Sequence, residues 1–125
     1  MVKQILLIGL GGFVGSVARF YVSRLNLAYD VYAIPLGTLT VNILGSLLIG
    51  FLAGIADKSP ILTPDLRLLL MVGLCGGFTT FSSLTNENLT LLHNGQFLSI
   101  LIYTAASIFL GLLAVYLGFI SSNLL

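Results

Sequence analysis

Charged residues are scarce in this chain. Asp, Glu, Lys and Arg make up 7% of its 125 residues, whereas hydrophobic residues make up 58%. Ordinary soluble domains carry roughly 25% charged residues. The formal net charge of +1 provides no basic surface and excludes a nucleic-acid-binding protein. This composition is typical of an integral membrane protein.

Residues that carry chemistry are equally scarce. The single cysteine, Cys75, excludes an intramolecular disulfide, and the single histidine, His93, lies in a predicted loop. Glu87 is the one carboxylate inside a predicted span, and Ser82 and Ser83 have no evident base nearby. The sequence contains no carboxylate pair, metal-ligand cluster or phosphate-binding glycine loop. We therefore do not expect an enzyme.

Long apolar runs dominate the chain and predict an all-α membrane protein with one transmembrane domain over residues 1–125. Four segments approach or exceed the roughly 20 residues needed to span a bilayer, namely 5–22, 33–56, 66–92 and 97–120. Lys3 before the first run resembles the start of a signal peptide. No small-residue cleavage site follows, and Arg19 lies at the far end, so we expect this segment to be retained as a spanning helix.

Turn formers mark the predicted loops at 26–35, 57–65 and 93–96. Thr63 followed by Pro64 predicts the start of the third helix, with Thr63 as the N-cap and Pro64 at the first helical position. Small residues recur four positions apart within the first and second spans, as the pairs Gly11 and Gly15, and Gly50 and Gly54. This spacing favours close approach of helix backbones.

The loop charges give little preference for one orientation. With the N-terminus in the cytoplasm, Lys3, Lys58 and Arg67 lie on that side, and Arg19 and Arg24 lie on the other. Three cations against two is a weak bias under the positive-inside rule. Such a count permits insertion in both orientations and an antiparallel dimer, but it also arises by chance in a protein with few loop charges.

The third span contains the sequence GGFTTFSS at 76–83. Glycine lowers helix propensity by roughly 1 kcal/mol relative to alanine, and adjacent threonines lower it further. We therefore predict a break in the third helix, which a membrane tolerates only where the backbone is buried in protein or lines a cavity. Freed carbonyl oxygens of Gly76 and Thr79, facing a second copy, would form a small cation site of backbone oxygen.

Neutral polar residues could line a pathway for an anion that accepts hydrogen bonds. Asn42 has Thr38 four residues before it and Ser46 four after, on one helical face. Other polar side chains in the third and fourth spans that could join them include Thr79, Thr80, Ser82, Ser83, Thr85, Tyr103, Thr104 and Ser107. Phe78 and Phe81 could add positive ring edges. Alternatively, each Ser or Thr hydroxyl bonds to its own preceding turn and the phenylalanines only pack.

Three motifs together resemble the CrcB or Fluc fluoride channels. They are GGFVGSVARF at 11–20, GTLTVNILGS at 37–46 and GGFTTFSS at 76–83, and the resemblance extends through all four spans. It implies an antiparallel homodimer of four-helix subunits with two fluoride pores and one central structural sodium ion. It also implies passive export of fluoride across a bacterial inner membrane, which lowers fluoride toxicity in the cytoplasm.

The resemblance assigns roles to residues at matching positions. Asn42 matches the pore asparagine, Phe81 the first phenylalanine of the fluoride pathway, and Gly76 and Thr79 the carbonyl ligands of sodium. The other positions assigned to the fluoride pathway are Thr38, Thr80, Ser83, Tyr103 and Ser107. Arg19 matches the arginine after the first glycine motif, without an assigned role. Leu84 stands where the family usually has a second phenylalanine, so one ring-edge contact is weakened or replaced.

Three alternatives remain at this point. The altered phenylalanine position permits a subunit of a heterodimeric fluoride channel. A small multidrug-type transporter would share the length, the four helices and the dual topology, but it needs a carboxylate deep in the first helix, where this chain has only Arg19. A non-conducting assembly partner would need only the glycine-rich helix faces.

Overall fold

A computed structural model describes residues 1–24, 30, 31 and 33–125, the side chains of 30 and 31 excepted. The chain has four helical spans that are long and apolar enough to cross a membrane. These are Val2–Ser23, Leu36–Lys58, Pro64–His93 and Phe97–Leu124. The predicted all-helical architecture with four membrane-spanning segments is therefore confirmed.

The helices are labelled in chain order. They are α1 (Val2–Ser23), α2 (Leu36–Lys58), α3 (Pro64–Arg67), α4 (Gly76–Phe78), α5 (Phe81–His93) and α6 (Phe97–Ser121). A π-helical stretch at Leu68–Cys75 joins α3 to α4, and a 3₁₀ turn at Ser122–Leu124 follows α6. The third span thus contains α3, the π-helical stretch, α4 and α5. Thr63 caps its start by accepting a hydrogen bond from the Leu66 amide at 3.3 Å, as predicted.

The second span begins later than the predicted residue 33. Ala33 has a φ of 61°, which is incompatible with a right-handed helix. Two short antiparallel strands, β1 (Asp30–Val31) and β2 (Ile34–Pro35), form a hairpin around this position. Pro35 then serves as the N-cap of α2 with an extended backbone. The predicted loop at 26–35 therefore ends in a hairpin, and its positions 26–29 and 32 lie outside the described residues.

The end of the third span also differs slightly from the prediction. His93 is the last residue of α5 and not part of a loop, and the turn follows it at Asn94. Gly95 has a φ of 71°, a left-handed conformation that glycine adopts without strain. This tight turn allows α6 to begin at Phe97, where the sequence predicts it.

Glycines bring the helix backbones into direct contact. A Cβ atom built on Gly50 of α2 would overlap the carbonyl oxygen of Val115 in α6, and one on Gly118 would overlap that of Leu47. On α1, Cβ atoms at Gly11 and Gly15 would overlap carbonyl oxygens of the third span. The predicted close packing at the glycine pairs is confirmed. It arranges the fold as two tight pairs, α2 against α6 and α1 against the first half of the third span.

One end of the bundle holds three cations, and each of them has a protein partner. Lys3 forms an ion pair with Asp65 at 2.6 Å. Arg67 donates to a carbonyl oxygen near the end of α2 at 3.2 Å, and Lys58 donates to the Ser122 hydroxyl at 2.8 Å. These contacts join the start of α1, the end of α2, the start of α3 and the end of α6. The other end contains Arg19 and Arg24.

Large apolar side chains cover the outside of the bundle. Phe109 on α6 is 71% exposed, and Phe13 on α1 is 68% exposed. The buried residues of α1 are glycines, Gly11 and Gly15. Such a surface requires apolar surroundings, which the hydrocarbon core of a bilayer provides. The chain is a multi-pass membrane protein.

Candidate functional site

Asn42 forms a two-point contact with the backbone of Thr80. Its side-chain Nδ2 donates to the Thr80 carbonyl oxygen at 3.1 Å, and its Oδ1 accepts from the Thr80 amide at 2.8 Å. Thr79 and Thr80 lie between α4 and α5 with extended backbone angles, φ −82° and ψ 155°, and φ −151° and ψ 123°. The Asn42 amide therefore satisfies backbone groups of Thr80 that a continuous helix would satisfy internally.

The carbonyl groups of Gly76 and Thr79 lose the hydrogen-bond donors that a continuous helix would give them. In a continuous α-helix, the Thr80 amide would bond to the Gly76 carbonyl oxygen, but here it donates to Asn42. Likewise, the Ser83 amide would bond to the Thr79 carbonyl oxygen, but it donates to the Thr80 hydroxyl at 3.1 Å. Both carbonyl oxygens thus lack their usual helical donors. These are the two residues that the sequence singled out for a cation site.

A cavity of about 400 Å³, the Asn42 cavity, opens beside this contact. It brings together seven of the predicted site residues, namely Asn42, Gly76, Thr79, Thr80, Phe81, Leu84 and Ser107. Phe81 is 76% exposed in the single chain, although it is large and apolar. Leu84 is buried, and it packs with Leu91 and Tyr103 as well as bordering the cavity.

The Ser107 hydroxyl bonds to the preceding turn of its own helix, which is the alternative to lining the pathway. Its Oγ donates to the Tyr103 carbonyl oxygen at 2.7 Å, one turn earlier in α6. Thr79 does the same, donating to the Cys75 carbonyl oxygen at 2.9 Å. The donor hydrogens of these two hydroxyls are therefore committed to the backbone, although both residues line the Asn42 cavity.

Glu87 joins two predicted site residues that lie on different helices. The Thr38 hydroxyl of α2 donates to Glu87 Oε2 at 3.0 Å, and the Tyr103 hydroxyl of α6 donates to Glu87 Oε1 at 3.1 Å. Tyr103 is completely buried and Thr38 nearly so. The sequence did not place Glu87 in the site. Its position could have indicated a role, because Glu87 is the one carboxylate within a predicted span and such a group requires hydrogen-bond donors from its surroundings.

A second cavity, the Arg19 cavity, has a volume of about 240 Å³. It contains three of the remaining predicted residues, Arg19, Thr38 and Ser83, and shares Thr80 with the Asn42 cavity. Ser16 and Ser23 of α1 complete its hydroxyl lining. The two cavities thus share Thr80 as a lining residue.

The side chains that line the two cavities suit a small anion, whereas the carbonyl oxygens of Gly76 and Thr79 suit a cation. In the described part of the chain, their polar side chains are hydroxyl groups, the Asn42 amide, the Cys75 thiol and the Arg19 guanidinium, with no carboxylate on either wall. Among the described residues, no three His, Cys, Asp or Glu side chains are grouped as metal ligands. Hydroxyl, amide and guanidinium groups can donate hydrogen bonds that replace an anion's hydration.

Comparison with known proteins agrees with this chemistry. A family model described as CrcB-like protein, Camphor Resistance (CrcB), matches residues 6–119. A protein of Methylobacillus flagellatus named fluoride-specific ion channel FluC is 49% identical over 117 residues, which is 93% of this chain and 91% of the relative. A protein of the same name from Chlorobium chlorochromatii is 48% identical over 96% of this chain and 92% of its own length. Since both matches extend through all four spans, the chain belongs to the CrcB family.

Proposed function

We propose that this chain forms a fluoride-selective ion channel, not an enzyme, which exports fluoride passively across the bacterial inner membrane and so reduces its toxicity in the cytoplasm. One observation carries the proposal. Relatives 42–49% identical over at least 90% of their own length are named fluoride-specific ion channel FluC. The two cavities that share Thr80 supply a structural route that agrees with this function.

Selectivity would come from hydrogen-bond donors in a narrow dry path. Fluoride is a small anion that binds its hydration water tightly, so a pore must replace that water with donors of its own. Hydroxyls from Thr80 and Ser83 border the path, and the ring of Phe81 borders the Asn42 cavity. The edge of an aromatic ring is the positive part of its quadrupole and can face an anion.

We further propose that the active form is an antiparallel homodimer, with each copy contributing one four-helix domain. The Asn42 cavity is open in a single chain, and Phe81 beside it is 76% exposed. A second copy on this face would close the cavity and cover the ring. The nearly balanced cations at the two ends of the bundle allow both orientations in the membrane.

The interruption between α4 and α5 would then hold a structural sodium ion between the two copies. The carbonyl oxygens of Gly76 and Thr79 lack their helical donors, so each copy offers two neutral oxygen ligands. Oxygen ligands suit hard cations, and the described residues of the cavity wall include no carboxylate, which favours a monovalent ion. Gly76 and Thr79 would hold the ion, and its charge would offset the facing carbonyl dipoles.

The proposed function is tested by reconstituting the purified chain alone in liposomes and following efflux with fluoride and chloride electrodes. Rapid fluoride efflux without chloride efflux supports a selective homomeric channel and shows that Leu84 is tolerated. No fluoride efflux from well-folded protein contradicts the homomeric proposal. In that case, efflux restored by a co-expressed homologue identifies a heterodimer, and proton-coupled uptake of a cationic drug identifies a multidrug-type transporter.

The Gly76→Ala variant tests whether a second copy of the chain packs against Gly76. Within one chain, a Cβ atom on Gly76 meets nothing within 4 Å, so the substitution has no steric cost in the monomer. We expect it to weaken dimerisation and sodium binding by at least tenfold, because the methyl group enters the proposed interface. Gly9→Ala is the matched control, because Gly9 also has nothing within 4 Å. Equal dimer fractions for both variants in dilution experiments by single-molecule photobleaching would argue against this interface.

The Phe81→Ile variant tests whether the edge of the Phe81 ring contributes to fluoride conduction. Isoleucine keeps an apolar side chain but has no quadrupole, and pairs of aromatic rings, which interact through the same quadrupole, gain about 0.5–1.5 kcal/mol beyond area burial. We therefore expect fluoride efflux to fall about threefold to tenfold. Phe13→Ile, on a ring of similar exposure in α1, should leave efflux unchanged. If the Phe81 variant conducts as well as the Phe13 variant, the aromatic contribution has no support.

A further inference from the structure

A groove of about 460 Å³, the outer groove, lies between α2 and α6 and takes no part in the proposed fluoride path. Its lining residues are Leu44, Leu47, Leu48, Phe51, Leu117 and Ser121. The Ser121 hydroxyl donates to the Gly118 carbonyl oxygen at 2.7 Å, so its hydrogen is committed to the backbone. The outer groove is therefore apolar. Leu44 and Leu117 are each nearly half exposed, so the groove contacts whatever surrounds the bundle.

The outer groove lies on the side of α2 that faces away from the Asn42 cavity. Successive residues of an α-helix are about 100° apart, which places Leu44, Leu47 and Phe51 roughly opposite Asn42. A second copy that closes the Asn42 cavity therefore leaves the outer groove facing the bilayer. Its surroundings are then lipid and not protein.

Lys58 places a positive charge at one end of the outer groove. It follows Phe51 by about two helical turns and so lies on the same side of α2. Its Nζ donates to the Ser122 hydroxyl at 2.8 Å and to Asn123 Oδ1, and Ser122 directly follows the groove residue Ser121. Both partners are neutral. Since an ammonium group has three N–H donors, the charge and one donor remain for a further partner.

Among the described residues, no carboxylate forms an ion pair with Lys58. Asp65 pairs with Lys3. Asp57 is exposed and lies about 100° away from Lys58 around α2. Lys58 follows directly at the end of a membrane-spanning helix, where anionic lipid head groups attract basic residues. A lipid phosphate is therefore the anion whose charge complements Lys58.

We propose that the outer groove and Lys58 together form a binding site for an anionic phospholipid, with one acyl chain in the groove and the phosphate beside the Lys58 ammonium. The dimensions agree with this occupant. The stretch of α2 from Leu44 to Lys58 is roughly 21 Å long, and one leaflet with its head groups is about 20–22 Å thick. The inference goes beyond fluoride conduction and takes from the proposed function only the position of the second copy.

The absence of tryptophan from the chain permits a site-specific test. Phe51→Trp places a single fluorophore in the outer groove, and bromine atoms on a lipid acyl chain quench tryptophan fluorescence on contact. The variant is reconstituted in phosphatidylcholine vesicles that contain a small fraction of phosphatidylglycerol, with the bromine on one lipid or the other at equal mole fraction. Phe109→Trp is the matched control reporter, because Phe109 is 71% exposed on α6 and does not line the groove.

We expect the Phe51→Trp reporter to show phosphatidylglycerol enriched about fivefold over phosphatidylcholine, and the Phe109→Trp reporter to show no enrichment. Adding Lys58→Gln should abolish the enrichment, whereas Lys58→Arg should retain it. The proposal is overturned if Phe51→Trp is quenched equally by both lipids, or if Lys58→Gln leaves the enrichment unchanged. Equal enrichment at Phe109→Trp overturns it as well, since that result indicates a general attraction. A Phe51→Trp reporter that neither lipid quenches shows that protein covers the groove.

A second measurement keeps the test valid if Phe51→Trp or Lys58→Gln does not fold. Native mass spectrometry counts the phosphatidylglycerol molecules that the purified chain retains. Leu117→Phe keeps Lys58 and adds bulk to the wall of the outer groove, so it should lose most of the lipid that the wild type retains. Leu6→Phe, on an exposed position of α1, is the control and should match the wild type. Unchanged retention in folded Leu117→Phe protein overturns the lipid site.

Discussion

Fluoride efflux is expected to fall about a hundredfold or more when Asn42 is replaced by aspartate. The carboxylate cannot donate to the Thr80 carbonyl oxygen, which Asn42 Nδ2 contacts at 3.1 Å. It also places a negative charge on the wall of the Asn42 cavity. Two unit charges about 6 Å apart at an effective dielectric constant of about 20 repel each other by roughly 3 kcal/mol, which corresponds to a factor of about a hundred in rate.

Two further variants separate charge from geometry at this position. Asn42→Ser removes the two-point contact with Thr80 without adding a charge, so it should lower efflux less than aspartate does. Asn94→Asp makes the same chemical change in the exposed turn after α5 and should conduct normally. The measurement is the initial rate of fluoride efflux per reconstituted channel. If Asn42→Asp conducts at the wild-type rate, Asn42 does not line the fluoride path.

The spans and the glycine contacts could be predicted because their causes are local. A spanning helix depends on about 20 consecutive apolar residues, and Thr63 followed by Pro64 contains all that an N-cap requires. The start of α2 could not be predicted in the same way. Hydropathy extends through Ala33, but the positive φ there belongs to a hairpin that ends at Pro35. A hairpin of two-residue strands leaves almost no periodic signal.

The site residues could be chosen from their polar character and from motifs, but their partners could not. Asn42 contacts Thr80 across 38 positions, and Thr38 contacts Glu87 across 49. These pairs depend on how the spans pack, which the sequence pattern does not encode. The partner of Ser107 could be predicted, because its hydroxyl bonds to the preceding turn of the same helix. Glu87 was missed because its donors come from two other helices.

Loss of Glu87 should destabilise the fold more than loss of any other polar side chain in the site. Glu87→Ala removes the acceptor of the Tyr103 hydroxyl at 3.1 Å and an acceptor of the Thr38 hydroxyl at 3.0 Å, and both residues are buried. A buried donor left without its acceptor costs about 1–3 kcal/mol. We therefore expect the free energy of unfolding to fall by roughly 1–3 kcal/mol for the Tyr103 donor. Glu87→Gln should lose less, since its remaining carbonyl oxygen still accepts one bond.

Labelling of Cys75 reports directly on this loss of stability. Cys75 is 1% exposed and the only cysteine in the chain, so a thiol-reactive dye labels it as the protein unfolds. The Glu87→Ala variant should be labelled at a lower temperature than the wild type. The control replaces donors and acceptor together, as Thr38→Val, Tyr103→Phe and Glu87→Leu. Since it removes these two donors together with the acceptor they share, it should recover most of the stability. It should still fail to conduct if the polar cluster belongs to the fluoride path, whereas recovered efflux would confine Glu87 to a structural role.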